Sequence, residues 1–419
     1  MPVDPAPRTT TAWPQVFLLF LAGVAAAFQI GKIPGSLPFL KIDLGLTLFL
    51  AGWVVSIFNL LAATGGIVVG AAADRIGHRR VTLFGMVLSA SAGAVGAFAE
   101  SPSLLLVTRV FEGLGFLLTV VSMPPLLLSI CAPADRQKAM GLWGAYMPAG
   151  MGGMLLASGP LLAVIDWRSL WLITSVLILA IAAAIAWTVP RPRRSDRVAV
   201  ARITPGDILR TARTPGPLLM AAVFTTYAAQ WLAVMSFLPL MLVEQGGFAP
   251  SSAALFGAGA AIINVVGNVS SGFLLDRGLK RANLIAIASI VMGAGALGVF
   301  LDILPFWLRY LCVLAFSVTG GIIPGALFAG VTVHAPRPGL VSSVTGLMQQ
   351  GAALGQLVGP PMVGWLVTTL GTWTAAPLFT LSAAAATCVS GLALGRLERL
   401  NAGQPKAPRR SRAVHSSSK

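Results

Sequence analysis

The sequence predicts an all-helical membrane protein with twelve transmembrane helices in two pseudo-symmetric six-helix bundles. Three observations carry this. The chain is 56% hydrophobic and only 10% charged, with a mean hydropathy of +0.84, against roughly 25% charged residues in a soluble domain. Charges and Pro/Gly turns divide it into twelve apolar runs, each near the about 20 residues that a helix needs to cross a bilayer. One turn motif also occurs twice, 202 positions apart. Gly70-Ala-Ala-Ala-Asp74-Arg75-Ile-Gly77-His-Arg79-Arg80 returns as Gly272-Phe-Leu-Leu-Asp276-Arg277-Gly278-Leu-Lys280-Arg281. A charged turn repeated between apolar runs is the trace of a duplicated bundle. No stretch alternates in the roughly 10-residue pattern of a membrane β-barrel.

Residues 1–12 form a short polar lead, and the first span covers 14–38. Its Ala25-Ala26-Ala27 run follows a single base, Arg8, and the apolar stretch exceeds a signal-peptide core, so it reads as an uncleaved helix. This span carries Gln29 and Lys32. The second span, 47–72, ends in the first turn motif, and the third is 81–99. The fourth, 103–130, holds Arg109 and Glu112; the fifth, 139–162, holds Trp143 and Tyr146; the sixth, 169–189, completes an N-terminal bundle of residues 1–190. Arg191–Gly216 is the longest polar interruption and contains seven Arg and two Asp. Residues 191–215 read as a cytoplasmic linker, whose bases alternatively meet a partner or anionic lipid. The C-terminal bundle, 216–396, comprises spans at 216–243, 250–274, 283–301, 304–330, 340–368 and 374–395. Residues 397–419, with Pro405, Pro408, Arg409, Arg410 and a serine run, read as a disordered cytoplasmic tail.

A net charge of +16 and a pI near 11.3 would suit a nucleic-acid binder, but the placement of the charges excludes that class. With the N-terminus inside, the cytoplasmic segments hold 24 of the 29 Lys and Arg against 7 of the 13 acids. The opposite loops hold Lys41 and Arg168 against Asp43, Glu100, Asp166, Glu244 and Asp302. This asymmetry places both termini in the cytoplasm of a multi-pass protein of the cell inner (plasma) membrane. Cys131, Cys312 and Cys388 lie in different segments and His78, His334 and His415 in turns or the tail, which offers neither a disulfide framework nor a metal site. No nucleotide-binding Gly-rich loop is present. No cofactor and no enzymatic activity are expected, and the chain is expected to act as a monomer.

The repeated turn resembles the motif between helices two and three, and eight and nine, of the major facilitator superfamily. The likeness extends over the whole chain. Arg109-Val-Phe-Glu112-Gly113-Leu-Gly115 resembles the superfamily's helix-four motif, and the fifth span, ending Gly159-Pro160, resembles a degenerate antiporter Gly-Pro motif. Gln29-Ile-Gly-Lys32-Ile-Pro34, Leu44-Gly-Leu-Thr47 and Gly141-Leu-Trp143-Gly-Ala-Tyr146-Met-Pro148 are similar to the cyanate and nitroimidazole permease branch. The resemblance implies secondary active transport by alternating access. It also implies that Gly70, Asp74, Arg75, Gly77, Arg79, Gly272, Asp276, Arg277 and Arg281 form a conformational gate. In that gate Gly70 and Gly272 allow close helix approach, and the two Asp face helix N-termini of the opposite half when the cytoplasmic side closes. The motif arginines pair with these Asp or with lipid phosphate; alternatively the whole motif is only a topological signal.

Four charges fall well inside predicted spans: Lys32, Arg109, Glu112 and Arg309. Intramembrane charge is costly and marks function by default. By the resemblance, their spans (one, four and ten) line the central cavity. From the span limits, the three cations lie roughly 9 Å below the outer surface, and Arg109 and Arg309, 200 positions apart, are expected to face each other. Three cations and one acid suggest a site for a small anion, since a guanidinium grips a carboxylate through two parallel hydrogen bonds. Gln29, one turn from Lys32, and Tyr227, Gln230 and Trp231 in the seventh span supply further polar groups, with Trp143, Tyr146 and Gln349 as additional contacts. Glu112 is the candidate proton carrier. Alternatives stand beside each of these: Arg109 and Glu112, at i,i+3, neutralise each other; Arg309 and Lys32 snorkel to the interface; the aromatic residues only pack. The expected function is proton-coupled movement of a small anionic solute. The alternative is a proton-antiport efflux pump for neutral or cationic drugs.

Overall fold

The structure is a computed structural model that describes residues 10–135, 139, 142, 143, 146–190, 205–336 and 341–402. The described chain is helical. In order, the helices are α1 (Trp13–Asp43), α2 (Leu48–Ser56), α3 (Leu60–Ile76), α4 (His78–Ala97), α5 (Pro102–Ile130), α6 (Tyr146–Leu161) and α7 (Trp167–Thr188). They continue as α8 (Pro205–Ala212), α9 (Pro215–Glu244), α10 (Pro250–Asp276), α11 (Arg281–Phe300), α12 (Phe306–His334), α13 (Val341–Leu370) and α14 (Ala376–Ala402). A 3-10 turn at Ile57–Asn59 joins α2 to α3, which together form the second span. Among the described residues, ten segments are long and apolar enough to cross a membrane. The remaining two predicted spans are α6, whose described helix has 16 residues, and α13, a 30-residue helix interrupted by Gly, Gln and Pro360-Pro361.

Local chemistry sets the helix ends. Thr47, Ser101 and Asp166 cap α2, α5 and α7 by accepting from the Leu50, Leu104 and Ser169 N–H groups at 3.2, 3.4 and 2.7 Å. Its hydrogen bonds with Ser169 hold the Asp166 carboxyl below the usual carboxylate range. Proline opens α1, α5, α9 and α10, where a missing N–H leaves no bond unmade. Gly77 turns α3 into α4 at φ +105°, a conformation that a side chain would strain.

Within each half, α4 packs on α5 and α7, and α1 on α6; correspondingly, α11 packs on α12 and α14, and α9 on α13. Between the halves, α2 meets α13 and α6 meets α10. Glycine decides how closely they meet. A Cβ on Gly52 would stand 2.6 Å from the Pro360 carbonyl oxygen, one on Gly364 would strike the Leu48 carbonyl, and one on Gly159 would stand 2.8 Å from the Ser251 carbonyl. All of these contacts lie toward the end where Lys41 ion-pairs with Glu244 and Trp373 donates to Glu244 Oε2 at 3.2 Å. Farther along the same two helices, Gly65 and Gly66 of α3 and Gly346 of α13 meet nothing within 4 Å. The halves thus meet backbone to backbone at the Lys41 end, whereas these three glycines toward the Gly77 end make no such close approach among the described residues.

Candidate functional site

The buried charges converge inside the first half. Helix α1 runs on through Pro34 and Pro38 to Asp43, five residues beyond the predicted limit. Lys32 therefore sits about 16 Å from the helix end, not roughly 9 Å. That is the depth of Glu112, ten residues into α5 at about 15 Å. The Glu112 carboxylate is divided between two cations: Oε1 accepts from Lys32 Nζ at 2.9 Å and Oε2 from Arg109 Nη1. Arg109 also donates from Nη1 to the Gln29 carbonyl at 2.9 Å and from Nε to the Val54 carbonyl at 3.1 Å. The side chains of Lys32, Arg109 and Glu112 are 0, 1 and 0% exposed.

Aromatic faces and small residues enclose this cluster. Lys32 Nζ lies 3.8 Å from the centroid of a Trp171 ring, and the Arg109 guanidinium lies 4.6 Å from that of Phe58. Gly93 of α4 leaves the necessary room, since a Cβ there would stand 3.1 Å from both Gln29 Nε2 and Glu112 Oε1. Gln29 Nε2 donates to the Ser89 carbonyl at 3.3 Å, while its Oε1 is buried without a partner among the described residues. Lys32 and Gln29 of α1 therefore face α4, α5 and α7, while Arg109 and Glu112 of α5 reach back to α1 and α2, all within the core of the first half. Charge and spacing singled out these four residues. Trp171, Phe58 and Gly93 were not legible in the sequence, where their only signal was an aromatic or small residue in a neighbouring span.

Arg309 is not brought to them. Its Nε donates to the Val299 carbonyl at 2.9 Å and its Nη2 to Gln245 Oε1 at 2.8 Å, with Met241 Sδ at 3.6 Å. It does not face Arg109, because these acceptors lie on the loop-facing ends of α9 and α11 and draw the guanidinium there. Tyr227 is buried and stacked on Phe224. Gln230, 0% exposed, has neither amide atom hydrogen-bonded among the described residues, and Trp231 Nε1 and Ser236 Oγ are likewise unpartnered. Trp143 and Tyr146 stack on each other at 4.3 Å and pack on Gly23 of α1. Gln349 is exposed.

The repeated turns use their last arginines in a way that the sequence did not indicate. Arg79 donates to the Val189 and Ala186 carbonyls at 2.9 and 2.7 Å, closing the end of α7. Arg281 donates to the Ala326 carbonyl at 2.9 Å and pairs with Glu398 of α14, which His334 Nε2 also meets at 2.9 Å. Each arginine ties its helix to the last helix of its own half. Asp276 and Arg277 are exposed, and Gly272 meets nothing within 4 Å. The close helix approach expected at Gly272 is thus absent among the described residues. The side chains of Asp74 and Arg75, and the surroundings of Gly70, lie outside the described residues.

The Major Facilitator Superfamily profile matches residues 19–355. A hexuronate transporter of Bacillus subtilis (strain 168) is 25% identical over 414 residues, spanning 94% of this chain and 96% of its own. A chloramphenicol resistance protein of Streptomyces lividans is 28% identical over 380 residues, spanning 85% and 91%. Among solved structures, a bacterial homolog of the human lysosomal transporter Spinster superposes with a TM-score of 0.77 at 15% identity, covering 93% of this chain and 96% of that one. With a profile match over most of its length and ten membrane-length helices among its described residues, the chain belongs to the Major Facilitator Superfamily and is a multi-pass membrane transporter, not an enzyme.

Proposed function

We propose that this transporter is a secondary active, proton-coupled carrier of a small anionic solute. It would work by rocking residues 1–190 against residues 216–396, joined by the 191–215 linker, with both termini in the cytoplasm of a cell inner membrane. In that orientation the Lys41 end is external. The observation that carries the reading is the make-up of the buried cluster: two basic side chains share one carboxylate, so that with both protonated it holds a positive charge that an entering anion would neutralise. Similarity to a hexuronate transporter, whose named cargo is a carboxylate, supports it. The resemblance to cyanate and nitroimidazole permeases adds small inorganic anions to the probes.

Efflux of uncharged drugs is the second reading. The unpartnered Gln230, Trp231 and Ser236 favour it as neutral hydrogen-bonding groups, as does similarity to a chloramphenicol resistance protein. Uptake of D-glucuronate and cyanate into proteoliposomes separates the two. Arg109→Gln leaves Lys32–Glu112 as a balanced pair, so the fold should persist while anion uptake falls at least about tenfold, the loss of one charged hydrogen bond. Wild-type anion uptake by the folded variant, together with lost chloramphenicol efflux, would favour the drug reading.

A further inference from the structure

We infer that Lys32 carries the coupling proton: it is an uncharged amine in the empty carrier and an ammonium when an anion is bound. The coupling half of this inference rests on the anion reading above, whereas the discharged state of the empty carrier does not. With all three side chains ionised, the sealed cluster holds one positive charge in excess inside the membrane, which is costly. An arginine is not discharged in proteins. A proton added to Glu112 would leave two cations and no anion. A proton removed from Lys32 leaves Arg109 and Glu112 as a neutral pair, and only this change balances the cluster.

The contacts agree with the charge count. Arg109 is fixed by the Val54 and Gln29 carbonyls and by Glu112. Lys32 Nζ has one hydrogen bond, to Glu112. An ammonium brings three donors, and two of these find no oxygen among the described residues, a shortfall that an amine feels less. The Trp171 ring at 3.8 Å receives the charge when it returns. Glu112 and Arg109 of α5 are the charged groups that face Lys32. Helix α7 presents Trp171, and α4 presents the Ser89 carbonyl through Gln29. Helix α6 packs on this stretch through Met151 and Met154, and among the described residues α2, α9 and α10 bring no charged side chain into ion-pair distance of Lys32. The step balances simply: the amine lone pair takes one proton as the anion enters, and the ammonium returns it on the side where the anion leaves.

Thermal unfolding of the full chain in detergent between pH 6 and pH 9.5 tests this without any solute. Over the range in which the folded protein has shed a proton that the unfolded chain keeps, stability rises with pH. The unfolding temperature of the wild type should therefore climb relative to that of Lys32→Met by about 2 °C per pH unit. Lys32→Gln should repeat the result should the methionine variant not fold. Lys32→Arg, a cation that cannot discharge, should fall further behind the wild type as pH rises. A gap that is constant with pH overturns the inference, and a slope abolished by Glu112→Gln but retained in Lys32→Met moves the proton to Glu112. Failure here leaves the anion reading standing, and failure to take up D-glucuronate leaves the titration standing.

Discussion

Glu112→Gln should be among the most destabilising single substitutions in the protein, at roughly 3–5 kcal/mol. The change is nearly isosteric, so packing is not the cause. It removes the only acid of the buried cluster, leaving Arg109 without a counter-charge and Lys32 Nζ without its acceptor in the core of the first half. Thermal unfolding in detergent reads the loss directly. Adding Lys32→Met to Glu112→Gln should recover part of it, because the buried amine left without its acceptor is then gone, and this is a coupling that independent sites would not show. A loss within about 0.5 kcal/mol, the range of an ordinary surface change, would mean that water reaches the cluster.

The second large effect concerns movement. Gly52→Leu would drive a side chain onto the Pro360 carbonyl and the Pro361 Cα, 2.6 and 2.8 Å from where its Cβ must sit. Backbone cannot step aside as a flexible side chain can. Overpacking of this kind costs typically about 1–3 kcal/mol, here charged against the state in which α2 and α13 touch, so that state should lose roughly 5- to 150-fold in population. Cysteines placed by Lys41→Cys and Glu244→Cys, with Cys131, Cys312 and Cys388 replaced, should cross-link readily when Gly52 is intact and poorly beside the leucine. Equal cross-linking would show that the seal does not depend on this contact. Gly364, whose Cβ would strike the Leu48 carbonyl, should behave alike.

The spans were legible because a bilayer leaves so little freedom: an apolar run of the right length must become a helix. Their ends were less so. The α1 helix passes through Pro34 and Pro38, which a rule of thumb about helix breakers would place at its limit, and the misjudged depth of Lys32 follows from that. The pairing of Arg109 with Glu112 was visible as an i,i+3 spacing. The Lys32–Glu112 bond joins positions 80 apart and depends on which helix lies opposite the polar face of Gln29, Lys32 and Ser36, which nothing in α1 itself names. For the same reason the sequence could say that Arg309 is embedded but not that Val299 and Gln245 would claim it. Glycines were read as points of close approach without their partners. Gly93, which makes space for a carboxylate, looked no different from Gly272, which faces nothing.

The indole beneath Lys32 is also an optical instrument. Trp171 is fully buried, donates its N–H toward Ser36 Oγ at 3.4 Å, and has the lysine nitrogen over its ring. An electric charge appearing or vanishing at that distance perturbs the excited state of the chromophore, so its emission wavelength follows the ionic state of the pocket in real time. A variant in which the other tryptophans are replaced by phenylalanine would let a fluorimeter watch single turnovers, with no dye attached and no radiolabelled cargo.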